Sequence, residues 1–200
     1  MRRAALIFCL VIGLAAAPVC RAETPAARDA KAKAAALEAG TGSEKPPGNP
    51  ITAAEARAVD PAGTAAIEDP ITCLARTIYW EAQGEGEEGM LAIASVVMNR
   101  VGHPGFPATV CAVVKEGQSQ RRCQFAWWCD GRPDEAQDPQ AYAQAREVAR
   151  RALNRELPDP TGGALYFHRR GATPEWAASY TRTAAIGAHL FYTPPDGKAK

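Results

Sequence analysis

Apolar positions recur with helical or strand periods from residue 69 onward, whereas between 23 and 70 they are almost all alanine. Asp69-Pro70 reads as a helix start: a capping side chain is followed by a proline whose missing N–H is not needed at the first helical position. The run ITCLARTIYWEAQGEG then carries Leu74, Ile78 and Glu81 on one stripe at i, i+4 and i+7, with Gly84 as terminator. A carboxylate is thereby set on or beside the inward face of the last turn. A second helix is predicted over about 87–101, where EGMLAIASVVMNRV is apolar on nearly every side and must be buried all round. Pro104, Gly105 and Pro107 break the chain, and ATVCAVVKEG predicts a short third helix. QSQRRCQFAWWCDGRPD has no helical period and reads as strands or a structured loop. Asp138-Pro139 repeats the cap signature, and Tyr142, Ala145, Val148, Ala149 and Ala152 mark an amphipathic helix ending near Leu157. After PDPTGG come two strand-like stretches, ALYFH and AHLFY, joined by a loop containing Pro174 and Trp176. The predicted class is α+β, mostly helical with a small late antiparallel sheet.

The aromatic residues sharpen the boundaries. Of fourteen, Phe8 stands alone in the first 22 positions, and the other thirteen lie between Tyr79 and Tyr192. Residues 23–70 hold fifteen alanines and six prolines, with Leu37, Ile51, Val59 and Ile67 as their larger aliphatics. So little bulk does not offset the entropy of ordering, so the segment is expected to be a mobile tether in which AARDAKAKAAALEA is transiently helical. The packed domain is expected over 71–193, with 194–200 as a tail. About 120 residues is enough for one core that buries roughly two thirds of the unfolded surface.

Residues 1–22 have the build of a secretory signal: Arg2-Arg3, then ALIFCLVIGLAAA, too short to span a bilayer, then a small-residue exit. The expectation is export to the periplasm or beyond, with no stable membrane insertion once the signal is removed. Its removal takes three arginines and no acid, moving the net charge from +1 to −2. Neither value suits a nucleic-acid-binding chain, so no nucleic-acid partner is expected. Four cysteines remain: Cys73, Cys111, Cys123 and Cys129. An even number in an exported chain favours two disulfides, with three connectivities that the sequence leaves open. The six-residue spacing of Cys123 and Cys129 is that of a local loop staple, which would leave Cys73 with Cys111. No C-x-x-C or HExxH occurs, so no metal and no cofactor are expected.

Glu81 is the candidate with chemistry. Desolvation on an apolar face and the negative end of a helix both disfavour its charged form. A carboxyl group kept protonated near neutral pH is what a general acid needs to protonate a leaving oxygen, as in glycoside cleavage. The competing reading is an exposed glutamate between Arg76 and Arg100. Of the histidines, His103 reads as a loop residue, His168 as a strand-end residue within reach of substrate, and His189 as a packing residue.

IYWEAQGEGEEGMLAIASVVMNRVGHPGFPATVCAVV, CQFAWWCDG, GGALYFH, Trp176 and IGAHLFY occur in this order, and together they resemble the cell-wall hydrolases of the SleB and CwlJ type. The resemblance runs from about Ile71 to Tyr192 and implies a lysozyme-like fold that cuts the glycan strands of peptidoglycan. It also implies a single catalytic glutamate in an E-A-x-G-E motif, here Glu81 to Glu85, and a lytic transglycosylase reaction. In that reaction one carboxyl group first protonates the bond between N-acetylmuramic acid and N-acetylglucosamine. It then helps the muramic C6 hydroxyl close a 1,6-anhydro ring. Glu85 reads as structural. Sugar rings need flat aromatic walls with hydrogen-bonding groups between them. The substrate-side candidates are therefore Phe125, Trp127, Tyr166, His168 and Trp176, with Trp128 a further aromatic and about half the rings expected to be core. Asp130 joins them through an Asp-Gly that the resemblance matches, although turn chemistry alone makes it a turn former. The family's bacillus members lack the cysteines around QFAWW, and related sequences vary at the Tyr79-Trp80 pair.

Two rival functions are consistent with the residues. One is a Cys-His peptidase acting on peptidoglycan stem peptides, with Cys73 as thiolate and His168 or His189 as base. The other is a non-catalytic peptidoglycan-binding domain. The expected partner in every case is peptidoglycan, bound by a monomer.

Overall fold

Helices form the body of the protein and three strands close one side of it. The computed structural model describes residues 23–39, 49–118 and 123–197, so the signal reading over 1–22 lies outside the described residues. Among the described residues six α-helices follow in order: α1 (Pro25–Ala39), α2 (Ala53–Ala58), α3 (Pro70–Glu81), α4 (Gly86–Arg100), α5 (Val110–Val114) and α6 (Pro139–Leu153). The strands β1 (Tyr166–Arg169), β2 (Thr181–Ile186) and β3 (His189–Thr193) form one antiparallel sheet in the order β1-β3-β2. No helix among the described residues is long and apolar enough to cross a membrane.

The predicted caps are in place. Asp69 accepts from the Thr72 N–H at 2.9 Å with Pro70 at the first helical position, and Asp138 does the same for α6 through the N–H groups of Gln140 and Ala141. Helix α4 is buried from Gly89 through Val97 except at the half-buried Leu91, close to what its apolar pattern requires. Strand β2 was not legible because TRTAAI carries one buried residue, Ile186, and is held by pairing with β3. The CQFAWWCDG stretch holds a single 3₁₀ turn, Ala126–Trp128, and no strand among its described residues.

The tether expectation for 23–70 is corrected over its described residues, 23–39 and 49–70. Ala27, Ala30, Ala34 and Leu37 lie on one buried face of α1, and Ile51, Ala56, Val59 and Ile67 join the same core. Alanines bury little area each, but they let helices approach closely, and polar anchors supply the rest. Asn154 grips Ile51 by donating to its carbonyl and accepting from its N–H, both at 2.9 Å. Asp60 accepts from Arg76 at 3.0 Å and from the Tyr142 hydroxyl at 2.7 Å, while Arg146 donates to the carbonyls of Val59 and Asp60. The packed unit therefore starts at Pro25, not at residue 71.

Both disulfides have the pairing that the six-residue spacing suggested. Cys73–Cys111 ties α3 to α5 across 38 residues with Cα atoms 5.3 Å apart, and Cys123–Cys129 staples the aromatic loop with Cα atoms 6.2 Å apart. Replacing Cys73 and Cys111 together by Ser should lower the unfolding free energy by about 2–4 kcal/mol, read from urea denaturation of the oxidised protein and the variant.

Candidate active site

Helix α3 delivers Glu81 at its final residue, after a helix in which every position from Pro70 to Tyr79 is buried. Its carboxyl is largely buried and is pushed up to about 7, because burial outweighs the opposing pull of Arg169 and Arg100. It opens into a cleft of about 640 Å³. Strand β1 lines the cleft with Tyr166, Phe167, His168 and Arg169; the connection to β2 adds Trp176, Ser179 and Tyr180. Arg100 from the end of α4, His189 from β3, and Gln124 with Ala126 from the stapled loop complete it. Glu81 is the one carboxylate among these lining residues.

One wall is aromatic. Tyr166 and Tyr180 lie 5.1 Å apart, Trp176 and Tyr180 5.1 Å, and Tyr166 and Trp176 5.5 Å between ring centroids. His168 stacks on Tyr192 at 5.2 Å and meets Trp176 edge-on. Both its ring nitrogens are engaged. Nδ1 lies 2.8 Å from the Arg169 carbonyl and must donate to it, which leaves Nε2 to accept from the Tyr192 hydroxyl at 3.1 Å. His168 is therefore a fixed part of the wall and not a free base.

Tyr166, His168 and Trp176 thus share the cleft with Glu81, whereas three other candidates do not line it. Phe125 is fully buried between Arg100 and Phe167, and Trp127 is buried against Trp128. The loop alternates: Gln124 and Ala126 are exposed, and Phe125 and Trp127 point into the core. That period-two pattern is present in CQFAW and could have assigned the rings to the core. Asp130 is exposed, and its Oδ1 accepts from the Arg132 N–H at 2.9 Å, so its carboxylate closes the Asp-Gly turn. Tyr79 and Trp80 lie outside the cleft, with the Tyr79 hydroxyl accepting from the N–H groups of Gln137 and Asp138. Arg76 does not flank Glu81, because it is committed to Asp60.

Glu85 and His189 form a second buried unit beside the cleft. The carboxylate of Glu85 lies 2.9 Å from His189 Nδ1, and both side chains are almost fully buried. Glu85 holds the N-cap position of α4 without capping it, because its carboxyl points at His189. A methyl group at Gly89 or at Gly187 would run into that carboxyl, so small residues on both elements make room for the pair. Arg100, Arg169 and Tyr180 are the cleft residues that sequence reasoning missed as substrate-side groups. The signal for Arg100 was a guanidinium at the end of a helix otherwise apolar all round.

Among the described residues, no group of three His, Cys, Asp or Glu side chains could hold a metal ion. Cys73 is buried and disulfide-bonded, so it supplies no thiolate and the Cys-His peptidase loses its nucleophile.

A mostly helical α+β domain of lysozyme-like build, with one carboxyl at a helix end facing a small sheet, is the class that this fold and cleft define. The chain belongs to the family described as Cell Wall Hydrolase, whose profile matches residues 84–192. It is 35% identical over 127 residues to a spore cortex-lytic enzyme of Halalkalibacterium halodurans, covering 62% of this chain and 34% of that one. It is 31% identical over 129 residues to the cell wall hydrolase CwlJ of the same organism, covering 62% of this chain and 85% of the relative. Among solved structures it resembles the catalytic domain of the germination-specific lytic transglycosylase SleB from Bacillus anthracis. That match has a TM-score of 0.51 at 30% identity and covers 62% of this chain and 93% of that one. The chain spans about a third of the length of the Halalkalibacterium spore cortex-lytic enzyme.

Proposed function

We propose that the protein cleaves the glycan strand of peptidoglycan between N-acetylmuramic acid and N-acetylglucosamine as a lytic transglycosylase, with Glu81 as acid and then base. The observation that carries this reading is the Glu81 carboxyl itself, held near a neutral pKa and alone among carboxylates in a cleft with an aromatic wall. In its protonated form Glu81 donates to the departing glycosidic oxygen as positive charge develops at the muramic C1. The carboxylate left behind takes the proton of the muramic C6 hydroxyl, whose oxygen closes on C1. Hydrolysis with inversion or through a glycosyl-enzyme would call for a second carboxylate at the cleft. Asp130 does not supply it, being exposed and tied into its own turn. Tyr166, Trp176 and Tyr180 provide faces for sugar rings.

The cleft is complete within one chain, which supports action as a monomer. Peptidoglycan lies outside the cytoplasmic membrane, which agrees with reading residues 1–22 as an export signal and supports action in the periplasm or beyond. Mass spectrometry of muropeptides released from purified sacculi tests the route. Fragments ending in 1,6-anhydro-muramic acid are expected, and a digest with only reducing ends would overturn it.

A further inference from the structure

The cleft contains more positive charge than its proposed chemistry needs. Arg100 is only 3% exposed. Its Nε donates to the Leu165 carbonyl at 2.7 Å, and its guanidinium lies 5.2–5.5 Å from the ring centres of Phe106, Phe125 and Tyr166. These contacts fix the plane of the group, yet its Nη1 is buried without a hydrogen-bond partner. Glu116 and Glu81 are within electrostatic reach of Arg100, but neither forms an ion pair with it. Arg169 lines the same cleft from the exposed end of β1, and no carboxylate among the described residues pairs with it. A buried guanidinium left unpaired is expensive unless something arrives to satisfy it.

The two arginines also pull against the first half of the reaction, because both favour the charged form of Glu81, and the acid step uses the neutral one. Cations beside a general acid are therefore better explained by what they bind than by what they do to the acid. A glycan of acetamides and hydroxyls is neutral and gives a guanidinium fork no matched partner. A carboxylate does, and with two oxygens it takes the fork bidentately. Peptidoglycan offers carboxylates close to the scissile bond in two places: the lactyl group of a muramic acid that has lost its peptide, and the stem peptide where one remains.

On the reading of the cleft as a glycan-cleaving site, we infer that Arg100 and Arg169 form a carboxylate-recognition subsite, so that the enzyme prefers strands bearing a free carboxylate beside the bond it cuts. Arg100 is the preset member, held by Leu165 and three rings, and Arg169 is the exposed arm that closes on the ligand from the strand side. If the lactyl group is the source, a peptide-removing amidase reaction must act before this one.

Four soluble substrates test the inference: peptide-free strands, the same strands with lactyl carboxyls converted to methylamides, peptide-bearing strands, and those strands with stem carboxyls converted likewise. The wild-type protein should show a kcat/KM about tenfold or more higher on a carboxylate-bearing strand than on its methylamide counterpart, as loss of charged hydrogen bonds implies. Preference within the peptide-free pair supports the lactyl source, and preference confined to the peptide-bearing pair supports the stem. Arg169→Gln, at an exposed position, should shrink the ratio toward one, and Arg100→Lys should do the same by keeping the charge and removing the fork. Equal rates on all four substrates would overturn the subsite and leave glycan cleavage standing. Cleavage of none of them would overturn the glycan-cleaving reading and this inference with it.

Discussion

Glu81→Gln is expected to lower the release of muropeptides from sacculi by about 10²–10⁴-fold, the usual contribution of a positioned general acid and base, while binding to the polymer is retained. The amide keeps the size of the side chain but has no proton to give at neutral pH. The pH profile of the unaltered protein checks the same assignment. Because the carboxyl is pushed up to about 7 and the acid step uses its neutral form, kcat should fall as pH rises through about 7. Stability should run in a linked direction. The raised value means that the folded state favours the protonated carboxyl, a contribution present below the unfolded value of 4.5 and lost as pH rises through 7. Above that pH the wild type holds a charge in a poorly solvated place and Glu81→Gln does not. The variant should then be the more stable by on the order of 3 kcal/mol, a gap that closes near pH 4, as urea denaturation at pH 4 and pH 8 would read. A variant that still clears sacculi at the wild-type rate would remove Glu81 from the mechanism.

Asp60→Ala should have the largest effect on the fold. Its carboxylate joins the Arg76 guanidinium and the Tyr142 hydroxyl at 3.0 and 2.7 Å, and the side chains of Asp60 and Arg76 are only 2% and 1% exposed. Deleting one partner leaves a cation in the core with nothing to neutralise it, which typically costs about 3–5 kcal/mol. A domain of ordinary stability has about 5–15 kcal/mol in all, so the urea midpoint should drop sharply. Asp60→Asn, which keeps an oxygen facing both donors, should lose less. If Asp60→Ala unfolds at the wild-type midpoint, the segment before α3 is not held by this cluster.

Asp60 also marks where reading the sequence succeeds and where it stops. Helices α3 and α6 were legible because each has a period of apolar residues and a capping Asp-Pro, and α4 because its apolar run is long enough for a helix buried on nearly every side. Glu81 was legible because its stripe runs through Leu74 and Ile78. Helix α1 was not, since an alanine face weighs little on any measure of apolar bulk. The 51–60 segment that follows it is anchored through Asp60, Asn154 and Arg146, by contacts that span 82 to 103 residues of chain. Phe125 and Trp127 show the same limit at the site: an aromatic side chain has the same composition whether it faces a groove or the core. Only the alternation with Gln124 and Ala126 separates the two. The partnership of Glu85 with His189 was beyond reach for the same reason as that of Asp60, because nothing local announces a contact across a hundred residues.

The order β1-β3-β2 also bears on when a growing chain acquires its cleft. The last of the three strands in chain order is the one in the middle: Arg169 pairs with His189 on one side and Ile186 with His189 on the other, so neither outer strand has a partner before β3 is available. Until then β1 cannot hold Tyr166, His168 and Arg169 opposite Glu81, although the helix bearing Glu81 was synthesised a hundred residues earlier. A chain stopped short of β3 would carry the acid without the wall it works against, so the complete site waits for the last of the three strands to be made.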